Sequence, residues 1–167
     1  MDRQILFSIG ECVLGAVLVA RSERGVCAIL LGDDPRDLEH DLRRRFLDHD
    51  VQDAYIGLEP LLSEVARFLA APHTGLRLPL DLHGSELQQR VWSALREIPS
   101  GTTETYSDVA RRLGGAASAK EVGEACAANP LAVAVPCHRV LRKDGSLGGY
   151  RWGLRRKRAL LERERAA

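Results

Sequence analysis

The chain has 167 residues, 45% hydrophobic and 28% charged, an ordinary globular make-up that can bury a core in one domain or two small ones. A formal net charge of +1 announces no nucleic-acid partner, and no apolar run is long enough to cross a membrane. Residues 1–10 lack the basic-then-apolar pattern of a signal peptide, so a cytoplasmic, intracellular location is expected.

In chain order, residues 5–9, 13–20 and 25–31 are short and β-branched, with turn-like stretches at Gly10–Glu11 and 21–25, and predict an antiparallel meander. Residues 35–48 and 58–71 predict helices, the second with Leu61, Leu62, Val65, Phe68 and Leu69 at helical spacing. A Pro- and Gly-containing linker at 72–79 then separates an α/β domain, residues 1–80, from a mainly α-helical domain, residues 81–167. Ser85 with Gln88 reads as a capping box, and Leu87, Val91, Trp92, Leu95 and Ile98 follow on one helical face. Thr105–Asp108 offers a cap for a short helix ending near Leu113. Ser118 with Glu121 caps a second that ends near Asn129–Pro130. Two short helices around Gly114–Gly115 have the outline of a helix-turn-helix. A Gly-rich loop covers 145–149, and a last helix runs over 153–163.

The charge is unevenly placed. Asp33, Asp34, Asp37, Glu39 and Asp41 make one stretch acidic, whereas Arg151, Arg155, Arg156, Lys157 and Arg158 make the last stretch basic. Cys12, Cys27, Cys126 and Cys137 fit no zinc spacing, and Cys137 and His138, being adjacent, are badly placed to share one metal; neither metal nor cofactor is expected. Cys12, Cys27 and Cys126 read as small core residues. Cys137 differs because a histidine follows it. A thiol attacks only as thiolate and needs a base at neutral pH. In a straight strand neighbouring side chains face opposite ways. His138 can serve only if the chain turns after Pro136 or a water bridges the two.

The pentapeptide Pro136-Cys137-His138-Arg139-Val140 resembles the active-site segment of the O6-alkylguanine-DNA alkyltransferases. Asn129-Pro130, Tyr106, Tyr150, Lys157 and Glu164 stand at matching offsets, so the likeness spans essentially the whole chain. It extends to the bacterial adaptive-response branch of the family, here expected without its zinc-binding N-terminal domain. The resemblance implies a ribonuclease-H-like α/β N-terminal domain and a helical C-terminal domain carrying a helix-turn-helix and the thiol. It implies single-turnover transfer of an alkyl group from O6-alkylguanine in double-stranded DNA to Cys137, with O4-alkylthymine as a further candidate substrate. Within it Cys137 is the nucleophile, His138 the base through a water, and Glu164 the residue that orients His138. Asn129 braces the turn before the thiol, and Tyr106 and Lys157 assist the guanine leaving group. Ala119, Lys120 and Gly123 on the recognition helix, with Arg139, Val140 and Tyr150 near the flipped base, are the expected DNA and substrate contacts. The resemblance also implies a monomer associated with the nucleoid.

One position departs from the family pattern. Lys120 stands where an arginine is usual, with Glu121 after it and Glu124 on the same helix. Lysine keeps the charge but lacks the planar head that stacks, and a cation in a first helical turn opposes the helix dipole. Weak duplex binding is therefore expected, with a functional role for Lys120. Two alternatives stay open: a damage-binding protein of the same fold, against which Cys137 argues, and an alkyl acceptor acting on another alkylated substrate. No oxyanion-hole motif supports a cysteine hydrolase.

Overall fold

The computed structural model describes residues 3–54 and 56–166. It is a mixed α/β fold of two compact units, one ending at Leu82 and the other beginning at His83.

The first unit is built on β1 (Gln4–Cys12), β2 (Gly15–Arg21) and β3 (Val26–Gly32), which form the antiparallel meander that their β-branched runs predict. β2 and β3 are almost continuously apolar and are buried on both faces. α1 (Pro35–Arg45) packs on β2 and β3. Its N-cap is Asp34, whose carboxylate accepts from the Arg36 amide at 2.9 Å. α2 (Glu59–Ala70) packs on β1 and β2 through Val65, Phe68 and Leu69.

Three local expectations change. The first hairpin turns at Val13–Leu14, not at Gly10–Glu11, and β1 runs on through Gly10 to pair Cys12 with Gly15. Cys12 is consequently part-exposed at the hairpin end rather than in the core, whereas Cys27 is buried. A fourth strand, β4 (Asp50–Asp53), pairs in parallel with β1 and gives the sheet order β3-β2-β1-β4. Residues 72–79 are not wholly irregular. They include a 3-10 turn at Pro72–Thr74, and the backbone of Pro79, Leu80 and Asp81 then docks on Val26 at the β3 edge.

The second unit places α3 (Glu86–Arg96) across α4 (Tyr106–Arg112) and α5 (Ala119–Ala127). All three begin with the capping boxes read from the sequence: Ser85 with Gln88, Thr105 with Asp108, and Ser118 with Glu121. The indole of Trp92 is fully buried and donates to the Ala125 carbonyl at 2.9 Å, which fixes α3 against α5. Gly84 permits this, because a Cβ there would lie 2.5 Å from the Trp92 ring. A pair of short parallel strands, β5 (Glu104–Thr105) and β6 (Val140–Leu141), joins the start of α4 to the segment after Cys137. α6 (Leu154–Arg165) closes the unit.

Candidate active site

Residues 131–135 form a tight turn, with Val133 at φ 62° and the Val135 amide bonded back to the Leu131 carbonyl. A β-branched residue in the left-handed region is strained, so something must hold it. Asn129 does. Its side-chain oxygen accepts from the Leu131 amide at 2.8 Å, and its amide donates to the Val135 carbonyl at 2.9 Å. The same amide lies 3.3 Å from Cys137 Sγ. Asn129, itself fully buried, thus ties the end of α5 to the thiol.

After Pro136 the chain enters a single 3-10 turn, Cys137–Arg139, the bend that a working Cys–His pair requires. His138 is completely buried and its Nε2 lies 2.7 Å from Glu164 Oε1. Burial drives the His138 pKa below its ordinary 6.5, with Glu164 opposing, so the ring is neutral at pH 7. Burial alone would raise the Glu164 carboxyl, but its hydrogen bonds and the neighbouring positive charge outweigh this and hold it at about 2. Arg139 is its counterion, with Nε at 2.8 Å and a second nitrogen at 2.6 Å, and Ser100 Oγ donates at 3.0 Å. An ionised Glu164 accepts only, so Nε2 carries the ring proton and Nδ1 keeps its lone pair. Nδ1 is buried and has no protein partner among the described residues.

Cys137 lines a cavity of about 430 Å³, together with Tyr106, Gly123, Cys126, Ala127, Arg142, Gly149, Tyr150 and Arg151. That volume lies in the range of small-molecule sites. Burial raises the Cys137 pKa, opposed by the Asn129 hydrogen bond and by the charges of Lys157 and Arg151. The resting group is therefore a thiol whose proton must be taken by a base. Tyr106, at the start of α4, has its pKa raised to about 12 by burial and by the two nearby cysteines, so its phenol is a donor. A Cβ on Gly148, at φ 71°, would lie 3.1 Å from the Tyr106 hydroxyl, so glycine there lets the loop close over this ring. Tyr150 packs edge-on to His138 and to Trp152, with ring centroids at 6.5 and 5.3 Å.

Lys157 is fully buried. Its ammonium donates to the carbonyls of Val140 at 2.6 Å, Gly149 at 3.1 Å, and Leu147. Its three protons are thereby used within the protein, and what it lends the cavity is charge rather than a hydrogen bond. A larger open groove of about 810 Å³ runs along α3 and α4, but no cysteine or histidine lines it, and Arg112 within it is paired with Glu97 and Glu104.

The cavity and its thiol coincide with a family relationship. Residues 86–166 match the model of the 6-O-methylguanine DNA methyltransferase DNA binding domain. The chain is 47% identical over 160 residues to the bifunctional transcriptional activator/DNA repair enzyme Ada of Escherichia coli, covering 96% of this chain and 45% of that protein. It is 43% identical over 110 residues to the inducible methylated-DNA–protein-cysteine methyltransferase of Bacillus subtilis, covering 66% and 62%. The crystal structure of Mycobacterium tuberculosis OGT in complex with DNA superposes with a TM-score of 0.80 at 30% identity, covering 98% of this chain and 93% of that one. The chain belongs to the O6-methylguanine-DNA methyltransferase family. It spans about half the length of Ada, 45%, and 62% of the Bacillus relative.

Within this family frame the residues singled out from sequence divide by position. Cys137, Tyr106, Tyr150 and Gly123 meet at the cavity, Asn129 reaches the thiol, and His138 and Glu164 are bonded to each other in the interior. Arg139 and Val140, expected at the substrate, do not reach the cavity. The Arg139 guanidinium is turned inward onto Glu164 and the Ile98 carbonyl, and the Val140 side chain is buried while its carbonyl holds Lys157. Ala119 and Lys120 sit in the first turn of α5, away from the cavity lining, with Lys120 exposed. Cys126, Ala127, Arg142, Gly149 and Arg151 also line the cavity, and only its three-dimensional closure brings them there. Cys126 is buried, as a core cysteine should be, yet it also shares the cavity wall with Cys137. Among the described residues no cluster of His, Cys, Asp or Glu could hold a metal ion, and no helix is long and apolar enough to cross a membrane.

Proposed function

We propose that this protein repairs DNA by moving the alkyl group of O6-alkylguanine onto Cys137, once per molecule and irreversibly. The observation that carries the reading is a cavity-lining thiol followed in the same 3-10 turn by a buried, neutral histidine whose free Nδ1 lone pair is set by an ionised glutamate. The alkylated base is everted from double-stranded DNA, at a cost of a few kcal/mol that is smaller for a poorly paired lesion, and enters the cavity. His138 takes the Cys137 proton through one bridging water, and Asn129 with the charge of Lys157 steadies the thiolate. The sulfur forms a bond to the alkyl carbon as the C–O6 bond breaks. The electron pair goes to guanine, the proton lost by the thiol is returned to the base, and the Tyr106 phenol hydrogen-bonds the leaving group. The product is a thioether, which water does not open, so the protein is spent.

In this reading α4 and α5 form a helix-turn-helix, the first unit is ribonuclease-H-like, and the protein acts as a monomer inside the cell at the nucleoid. Ala119 and Lys120 project from the recognition helix toward DNA, with Lys120 as a point charge where arginine would stack. Glu121 accepts from the Ser118 amide at 3.0 Å, a structural reason for an acid at this position that leaves its charge in place. The test is mass spectrometry after incubation with O6-methylguanine duplex DNA. A single added methyl group, located on Cys137 and absent in Cys137→Ala, is expected at one equivalent per protein. Sustained turnover, or methylation of Cys126 instead, overturns the reading.

A further inference from the structure

We infer that Arg142 and Arg151, flanking the Gly145–Gly149 loop, form a phosphodiester-binding mouth to the Cys137 cavity. This rests on the alkyl-transfer reading and adds a contact that the alkyl chemistry itself does not need. Two of the side chains lining the cavity are arginines and none is a carboxylate. Arg142 is exposed, and its guanidinium makes no hydrogen bond or ion pair among the described residues. Its backbone is fixed nonetheless: its amide donates to the Ser146 carbonyl at 3.0 Å, and its carbonyl accepts from Gly145 at 2.9 Å. Arg151 is held more firmly. One nitrogen donates to the Asn129 carbonyl at 2.7 Å, and its guanidinium lies 5.4 Å from the Trp152 ring centroid.

The nearby groups leave the Arg142 guanidinium open to an outside anion. Glu164 is occupied by Arg139 and His138. Asp144, which feels the charge of Arg142, accepts from the amide and hydroxyl of Ser146 at 2.9 and 2.7 Å. Lys157 spends its donors on three carbonyls. Of the cations around the cavity, Arg142 is thus the one whose donors are not engaged within the described residues. A base that enters the cavity brings its own phosphates to the rim, because one sugar separates them. A planar guanidinium fork matches phosphate oxygens and cannot serve as a proton donor at neutral pH, so its role is to hold and orient.

The experiment compares wild type and Arg142→Gln by second-order transfer rates from O6-methylguanine duplex and from free O6-benzylguanine. The duplex-to-free-base rate ratio should fall about tenfold in the variant. Duplex affinity, read separately by fluorescence anisotropy, should lose roughly one unit of salt-dependence slope. A neutral methylphosphonate beside the lesion should slow wild type more than it slows Arg142→Gln, which keeps only Arg151 at the mouth. An unchanged ratio together with an unchanged slope overturns the phosphate contact. Failure of wild type to take a methyl group from duplex DNA, with the slope still reduced in the variant, overturns the repair reading and leaves the contact standing.

Discussion

Both units bury an apolar core, but among the described residues only the second also buries polar and charged side chains. The first is dry: β2 buries Ala16, Val17, Leu18, Val19 and Ala20 in succession, and none of its described polar or charged side chains is buried. The second buries Asn129, His138, Arg139, Lys157 and Glu164. Apolar burial tolerates approximate neighbours, because the hydrophobic effect is not directional. Polar burial does not, since each donor or acceptor left unmatched costs about 1–3 kcal/mol. The second unit is therefore over-determined around Cys137, and geometry rather than area keeps the thiol in place.

The harshest test of this contrast is Glu164→Ala. It strands the Arg139 guanidinium in the interior, and breaking a buried pair in this way costs roughly 3–5 kcal/mol. Denaturant unfolding should show that loss, and the thiol of the surviving folded protein should react more slowly with free O6-benzylguanine. Leu18→Ala in the first unit should cost a similar roughly 2–5 kcal/mol through its cavity. Its folded fraction should still react at the wild-type rate. If both variants impair the thiol equally, the two units are not different in kind.

Acid sharpens the same contrast. His138 has a folded pKa below 6.5, so the unfolded chain takes up a proton there that the folded chain refuses, and stability falls as pH drops below 6.5. Glu164 has a folded pKa of about 2 against an ordinary 4.5. Its contribution is complete above 4.5 and is lost as pH falls from there through about 2. Amide exchange, corrected for intrinsic rates, should show residues 135–140 losing protection between pH 6.5 and 5 before β2 does. Simultaneous loss in both units would count against a histidine-centred weakness.

A milder probe is Glu121→Ala. It removes one half of a capping box and should cost about 0.3–1.5 kcal/mol. It also removes a carboxylate from the first turn of α5 and should tighten duplex binding at low salt. Affinity that stays constant across salt would show that this turn lies away from the phosphates.

What could be read in the sequence follows the range of the forces involved. Capping boxes, apolar periodicity and the Pro136-Cys137-His138 segment are local, and each is found in the structure. β4 was not legible because only Val51 of its four residues is buried, leaving no alternation to see. Gly10 looked like a turn because glycine breaks patterns, yet it sits mid-strand against Leu62. Arg139 gave no sign of pointing inward, since its partner Glu164 lies 25 positions away. The cavity wall was hidden for the same reason, being assembled from α4, α5, the turn at Cys137 and the Gly-rich loop.

Lys157 carries a consequence for chemical labelling. Lys120 and Lys143 stand in solvent, whereas the Lys157 amine is enclosed by three carbonyls, two of them from the Gly-rich loop segment. An acylating reagent should modify the first two from the folded protein within its ordinary reaction time. Lys157 should acquire the label only when residues 147–149 lift away, so its labelling rate reports how often the loop opens. If DNA holds that loop, saturating duplex should slow labelling of Lys157 beyond any general protection of the surface, and the residue serves as a clock built into the chain. Labelling at the same rate as Lys143 would mean that the loop is open for much of the time.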